Sequence, residues 1–203
     1  MEDKVKNTIA ALEKNKIPVK YFENEEKAVD FLLQEIGSDN SVGIGGSITI
    51  FNLNLHQILK DRGNKVYFHW LETKPEDADS ARLIASRADV YLTSTNALTE
   101  KGQLVNIDGI GNRVTSMIYG PKKVIVVCGT NKIVKNVDEA ISRIKDNAYK
   151  NSQRLKLNTP CAITGKCNDC DSSQRMCSVT TIIDKKPTKT DLNIILIDKE
   201  LGY

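Results

Sequence analysis

DVYLTSTNALTEKGQLVNIDGIGNRVTSMIYGPKKVIVVCGTNKI, residues 89–133, carries the reading of the fold. Its two apolar runs, Val90–Leu92 and Val124–Val127, read as buried strands. Between them lies a segment dense in Gly, Asn, Asp, Thr and Arg. Buried strands bounded by turn residues are the pattern of an α/β sheet. Such sheets take their ligands at the carboxyl ends of the strands, where this segment falls. Gly, Asn and Asp also make ordinary turns. Composition alone therefore leaves a many-turned hairpin as an equal reading.

Upstream, Val5, Ile9 and Leu12 give residues 3–16 one apolar helical face. Val19–Phe22 reads as a strand, and Asn24 caps a helix that Gly37 stops. Val42–Ile44 is a strand entering Gly45-Gly46-Ser47, with a helix expected from Ile48 to about Lys60. Lys65–Phe68 is a strand ending at His69-Trp70, and Pro75 opens the next helix. Downstream of the quoted stretch, a helix is expected from Asn136 or Asp138 through Asn147. Strands follow at Val179–Ile183 and Leu192–Ile197. Within residues 89–133, Gln103–Ile107 is a strand and Val114–Tyr119 a short helix. The fold class is α/β: a doubly wound, mostly parallel sheet flanked by helices.

The strand, glycine turn and helix at 42–60 could hold an anion. Glycines admit a ligand to the backbone, and a helix N-terminus offers free N–H groups. The motif lacks the Lys of a phosphate loop and the spacing of a dinucleotide site, so taken alone it reads as a tight turn. Thr93, Ser94, Thr95 and Asn96, just after a buried strand, could hold a carboxylate or phosphate through side chains and backbone. Asn131 and Lys132, at the exit of another strand, are second-tier candidates. His69 could act as acid or base, its ordinary pKa being about 6.5; the alternative is a packed residue beside Trp70.

TSTNALTEKGQLVNIDGIGNRV and MIYGPKKVIVVCGTNKIV, with GIGGS at 43–47, resemble the signature of the lactate-utilisation protein (LUD) domain family. That family is related to the fold of ribose-5-phosphate isomerase and CoA transferases. The resemblance implies a small anionic metabolite bound between Gly45, Gly46 and Ser47 on one side and the 93–113 segment on the other. It implies a part in the oxidation of lactate or another hydroxy acid, beside an iron–sulfur dehydrogenase partner. By similarity to the CoA transferases, Glu100 is a candidate nucleophile; otherwise it is a turn carboxylate. Asp108 resembles the acidic residue that the isomerases place beside the sugar. Gly109, Gly111 and Asn112 would present backbone donors, and Arg113 a bidentate grip on an acid. A structural Arg113–Asp108 ion pair is the competing reading. A stand-alone isomerase or acyl/CoA-transferase-type enzyme is the first functional alternative.

At 203 residues, with a hydrophobic fraction of 40% and a charged fraction of 27%, the chain suits one soluble domain spanning residues 1–203. A net charge of +3, with both signs interspersed, argues against nucleic acid. No apolar run has the length of a signal core or a membrane span, so a cytoplasmic protein without a membrane partner is expected. Self-association into a homo-oligomer is compatible with this composition.

Residues 159–178 form a cysteine-rich loop inserted in that domain. Cys161, Cys167, Cys170 and Cys177 follow the pattern C-x5-C-x2-C-x6-C. Structural disulfides are uncommon in a reducing compartment. Two cysteines separated by two residues can converge on one metal, and the outer two can complete a four-thiolate site. The expectation is a [4Fe-4S] cluster. Zinc is the alternative cofactor, and a loop that binds nothing is the remaining reading. If the metal is the working part, the protein is instead a redox or metal-sensing module.

Overall fold

The computed structural model describes residues 1–203. The chain opens with α1 (Asp3–Lys14), β1 (Val19–Phe22), α2 (Glu25–Ile36) and β2 (Val42–Ile44). Two short helices, α3 (Ile48–Asn52) and α4 (Leu55–Asp61), lead to β3 (Val66–Phe68), α5 (Pro75–Ala85) and β4 (Val90–Thr93). Next come β5 (Ala97–Thr99), β6 (Leu104–Asp108), α6 (Asn112–Ile118), β7 (Lys123–Gly129) and β8 (Ile133–Val134). The long α7 (Val137–Arg154), the short α8 (Pro160–Thr164), β9 (Val179–Ile183) and β10 (Asp191–Ile197) complete it.

Six strands form a parallel sheet in the order β1-β10-β7-β4-β2-β3. Both faces are buried, and the period-2 geometry of a strand divides its side chains between two cores. On β7, Ile125 and Val127 face α2, α3 and α4, packing with Leu32, Ile50 and Leu59. The alternate residues Val124, Val126 and Cys128 face the other way, towards Leu12 of α1 and Met117 of α6. Strands β4 and β10 alternate likewise. This is the doubly wound α/β sheet that the apolar runs imply.

A second sheet was not expected. Strands β8-β5-β6-β9 pair largely antiparallel beside the second core, and α7 covers them with Ala140 and Ile144 against Ala97 and Val105. Strands β5 and β8 have three residues and two, too few for a periodic signal.

Local chemistry explains the helix ends. Asn24 accepts from Lys27 N–H to cap α2, and Asn136 accepts from Glu139 N–H to cap α7. Gly37, at φ 66°, ends α2. The expected helix 48–60 is instead two helices, because Asn54 takes a left-handed conformation at φ 52°. Helix α7 continues beyond Asn147 to Arg154, which proves important for the cleft. No helix is long and apolar enough to cross a membrane.

Candidate functional site

The carboxyl ends of β2, β3, β4 and β7 lead into one cleft of about 810 Å³. Gly46, Ser47 and Thr49 line it after β2, His69 and Trp70 after β3, Ser94–Asn96 after β4, and Lys132 after β7. Asp108, Gly109, Asn112 and Arg113 form another wall. The turns at Gly46 and Gly109, distant in sequence, therefore meet at the same cavity. Helix α7 adds a polar stripe of Arg143, Asn147, Asn151 and Arg154, recurring at helical spacing.

Arg113 organises the wall but has no donor left for a ligand. Its Nε donates to Asp108 Oδ2 at 3.1 Å. One terminal nitrogen donates to Ser94 O and Asn106 Oδ1, the other to Asn96 Oδ1 and Ile107 O. These contacts engage all five N–H groups of a guanidinium. The side chains of Arg113 and Asp108 are only 9% and 10% exposed. Asp108 Oδ1 also accepts from Gly111 N–H at 2.8 Å, which sets the turn before α6. Of the two readings of Arg113, the structural ion pair is the one formed.

Lys132 is different. It is 4% exposed, and its Nζ donates to Thr49 Oγ1 at 3.0 Å and Ser94 Oγ at 2.9 Å. No carboxylate pairs with it. Burial pulls its pKa down to about 8, and nearby Arg143 and Arg113 contribute in the same direction. The C-terminal residues close over this corner: Asn131 Oδ1 accepts from Leu201 N–H, and Gly202 lies against Thr49 and Lys132 Nζ.

Beside it, Arg154 stacks on the Trp70 ring at 4.3 Å. Arg143 donates to Asn96 O at 2.7 Å. Arg82 Nε is buried without a hydrogen-bond partner. His69 lies among these groups. Burial, then the charges of Arg82 and Arg154, lower its pKa to about 4, so it is neutral near pH 7.

Counting lining side chains, Arg82, Arg113, Lys132, Arg143, Lys145, Arg154 and Arg175 give seven cations against one acid, Asp108. The whole chain carries only +3. Neither Arg143 nor Arg154 stands out in the sequence as a site residue: Arg154 lies beyond the expected helix end at Asn147, and Arg143 lacks its same-face partner until α7 is extended. Their spacing of eleven residues, three helical turns, is the sequence signal that places them on one face.

Other candidates fall elsewhere. Glu100 does not line the cleft; it sits in the turn after β5, its N–H donating to Val134 O at 2.8 Å. Gly45, Thr93 and Gly111 are also absent from the cleft wall. A Cβ at Gly45 would lie 2.8 Å from the Tyr91 hydroxyl, so that glycine permits close packing inside the fold. Ser47 caps α3, accepting from Ile50 N–H, but α3 has only five residues and offers little dipole. Thr95 donates its hydroxyl to Ala97 O, and Asn96 is held by Arg113 and Ile107 N–H.

The cysteine loop packs against the cleft. Ser178 N–H donates to Asp108 O, and a Cβ at Gly109 would meet Met176 Cα at 3.2 Å. Cys177 lines the cavity. Arg175 braces the loop through the carbonyls of Cys170 and Cys177 and the Asp169 carboxylate. The expected convergence of sulfurs is not formed: no three Cys, His, Asp or Glu side chains group as a metal site. Cys161 is buried and its sulfur is engaged with Thr159 and Ser152. As arranged, the four residues do not fit a closed metal centre. Their charges are nonetheless mutually felt: burial, then the neighbouring thiols of Cys167, Cys161 and Cys170, push the Cys177 thiol up.

Comparison with known proteins gives the context. A search of curated proteins finds no match. The crystal structure of a DUF162 family protein from Deinococcus radiodurans is similar, with a TM-score of 0.56 and 14% identity over 96% of each chain. At that identity the likeness concerns the fold. The LUD domain profile matches residues 5–197, nearly the whole chain. The protein belongs to the LUD domain family.

Proposed function

We propose that this lactate-utilisation-type protein binds a small anionic metabolite in the cleft, as part of a hydroxy-acid oxidation system. The observation that carries this reading is the surplus of cations. The sole lining acidic side chain is tied to Arg113, and Arg82 and Arg175 pair with Asp79 and Asp169, while Lys132, Arg143 and Arg154 have no acidic partner. A buried ammonium without a counter-ion is costly, and an anionic ligand removes that cost. Arg143 and Arg154 offer planar donors suited to a carboxylate or phosphate. The cleft is also large. At about 810 Å³ it lies in the range of sites that enclose drug-sized ligands. A three-carbon acid would leave most of it free, which leaves space for a second reactant or a longer carrier-linked acid. An iron–sulfur dehydrogenase partner would take the electrons.

The test is calorimetry of the purified protein with lactate, pyruvate, oxalate and inorganic phosphate, repeated on Arg143→Ala. Binding that weakens in the variant supports the reading. Absence of binding to all four anions rejects it.

We also propose that the cysteine loop takes a soft metal, [4Fe-4S] or zinc, because three of its sulfurs make no hydrogen bond and four thiols within residues 161–177 are a soft donor set. Binding would require the loop to draw its sulfurs together. Iron and zinc analysis of protein purified without oxygen decides it: about four irons per chain indicate the cluster, one zinc the alternative, and neither metal removes the proposal.

A further inference from the structure

Lys132 is the one buried lysine of the cleft: Lys145 is exposed, and the other lining cations are guanidiniums, which keep their charge. Its Nζ has three tetrahedral positions beyond the carbon chain. Two are used, by Thr49 Oγ1 at 3.0 Å and Ser94 Oγ at 2.9 Å. Both hydroxyls are themselves oriented, Thr49 donating to Leu201 O and Ser94 to Thr95 O. The third position has no protein partner, and Lys132, Thr49 and Ser94 all line the cavity. In the neutral amine that position holds the lone pair. A lysine arranged for charge alone would ordinarily face a carboxylate; this one faces two hydroxyls in the cleft wall, beside Gly202.

We propose that the Lys132 amine forms a reversible imine with a carbonyl compound bearing a carboxylate or phosphate bound in this cleft. The inference rests on the anion-binding reading of the same site. The anionic group lies against the arginines while the adjacent carbonyl carbon reaches Nζ. The lone pair forms the C–N bond and the carbonyl π electrons move to oxygen. Two protons, both from the amine in net terms, then leave with that oxygen as water, giving C=N. No oxidant or reductant takes part, and water reverses the step. Burial among cations is a recognised way to make a lysine nucleophilic. At pH 7 a lysine shifted from the ordinary 10.5 to about 8 has on the order of a hundredfold more neutral amine than an exposed one.

The experiment incubates the full chain at pH 7.5 with pyruvate or with dihydroxyacetone phosphate, reduces with cyanoborohydride, and maps adducts by peptide mass spectrometry. The expected result is a reduced adduct at Lys132, about tenfold or more above any other lysine, given that neutral-amine advantage. Adduct from pyruvate alone identifies the carboxylate class, and from the phosphate ketone alone the phosphate class; adduct from both shows tolerance of either head group. Lys132→Arg abolishes the adduct. Mapping on the unaltered protein keeps the test independent of whether that variant folds. Thermal shifts with oxalate and inorganic phosphate are measured on the same sample. Stabilisation by these anions with no Lys132 adduct overturns the imine and leaves anion binding standing. No stabilisation and no adduct overturns both. Adducts spread over surface lysines, unchanged in Lys132→Arg, also overturn the imine.

Discussion

Lys132 Nζ lies 2.9 Å from Ser94 Oγ, across 38 residues of chain. The contact joins the exits of two adjacent strands, β4 and β7, and puts an unpaired buried ammonium at the cleft. It has consequences for both stability and binding.

With its folded pKa pulled down to about 8 from an ordinary 10.5, Lys132 binds fewer protons folded than unfolded between those values. Its contribution to stability therefore rises from pH 8 to pH 10.5 and is fully present above that. Lys132→Met should flatten this alkaline rise in denaturant unfolding curves. The same variant should weaken oxalate binding by about tenfold, roughly 1.4 kcal/mol, read by calorimetry at pH 7. A retained alkaline slope would show that another group produces it.

Arg113 and Asp108 should behave as structural residues. Removing either partner of a buried, hydrogen-bonded ion pair costs about 3–5 kcal/mol. Asp108→Ala and Arg113→Ala should each lose stability on that scale. The double variant should lose less than the sum of the two, because the partner left behind is no longer an unpaired charge. Additive losses in urea titrations would contradict the coupling.

His69 titrates in the acid range. Its folded pKa of about 4 lies below the ordinary 6.5, so the unfolded chain takes up the proton first as pH falls. Stability is lost between pH 6.5 and 4, and this contribution levels off below. His69→Gln should flatten that part of the acid limb. A measured His69 titration near 6.5 by NMR would remove the basis for this expectation.

Gly202 adopts φ +67°, and a Cβ there would lie 2.6 Å from Thr49 Oγ1 and 3.3 Å from Lys132 Nζ. Gly202→Ala should displace the tail from the Lys132 corner. A destabilisation of about 1–3 kcal/mol is expected for such overpacking. Faster amide exchange at residues 201–203 should accompany it, and unchanged exchange would mean the corner absorbs the methyl group.

The strands of the main sheet were legible because burial on both faces demands unbroken apolar runs such as Val124–Val127. The glycine turns were legible as close approaches: a Cβ at Gly45 would crowd the Tyr91 hydroxyl, and one at Gly109 would crowd Met176. The arrangement of charges was less legible. Arg113 and Asp108, five residues apart, could be read as ligand grip or as ion pair, and only the full set of five acceptors around the guanidinium decides between them. Glu100 stood in a motif with acids and glycines, but β5 and β6 carry it to a turn away from the cleft.

Apolar periodicity and turn chemistry are local, so the sequence by itself determined the α/β class, most element positions and the carboxyl-end location of the loops that line the cleft. The cation-lined cleft, the hydroxyl cradle of Lys132 and the seat of the cysteine loop against β6 depend on residues far apart in the chain. Only the tertiary structure decided those, because the worth of a charge depends on burial and on the partners that long-range packing brings to it.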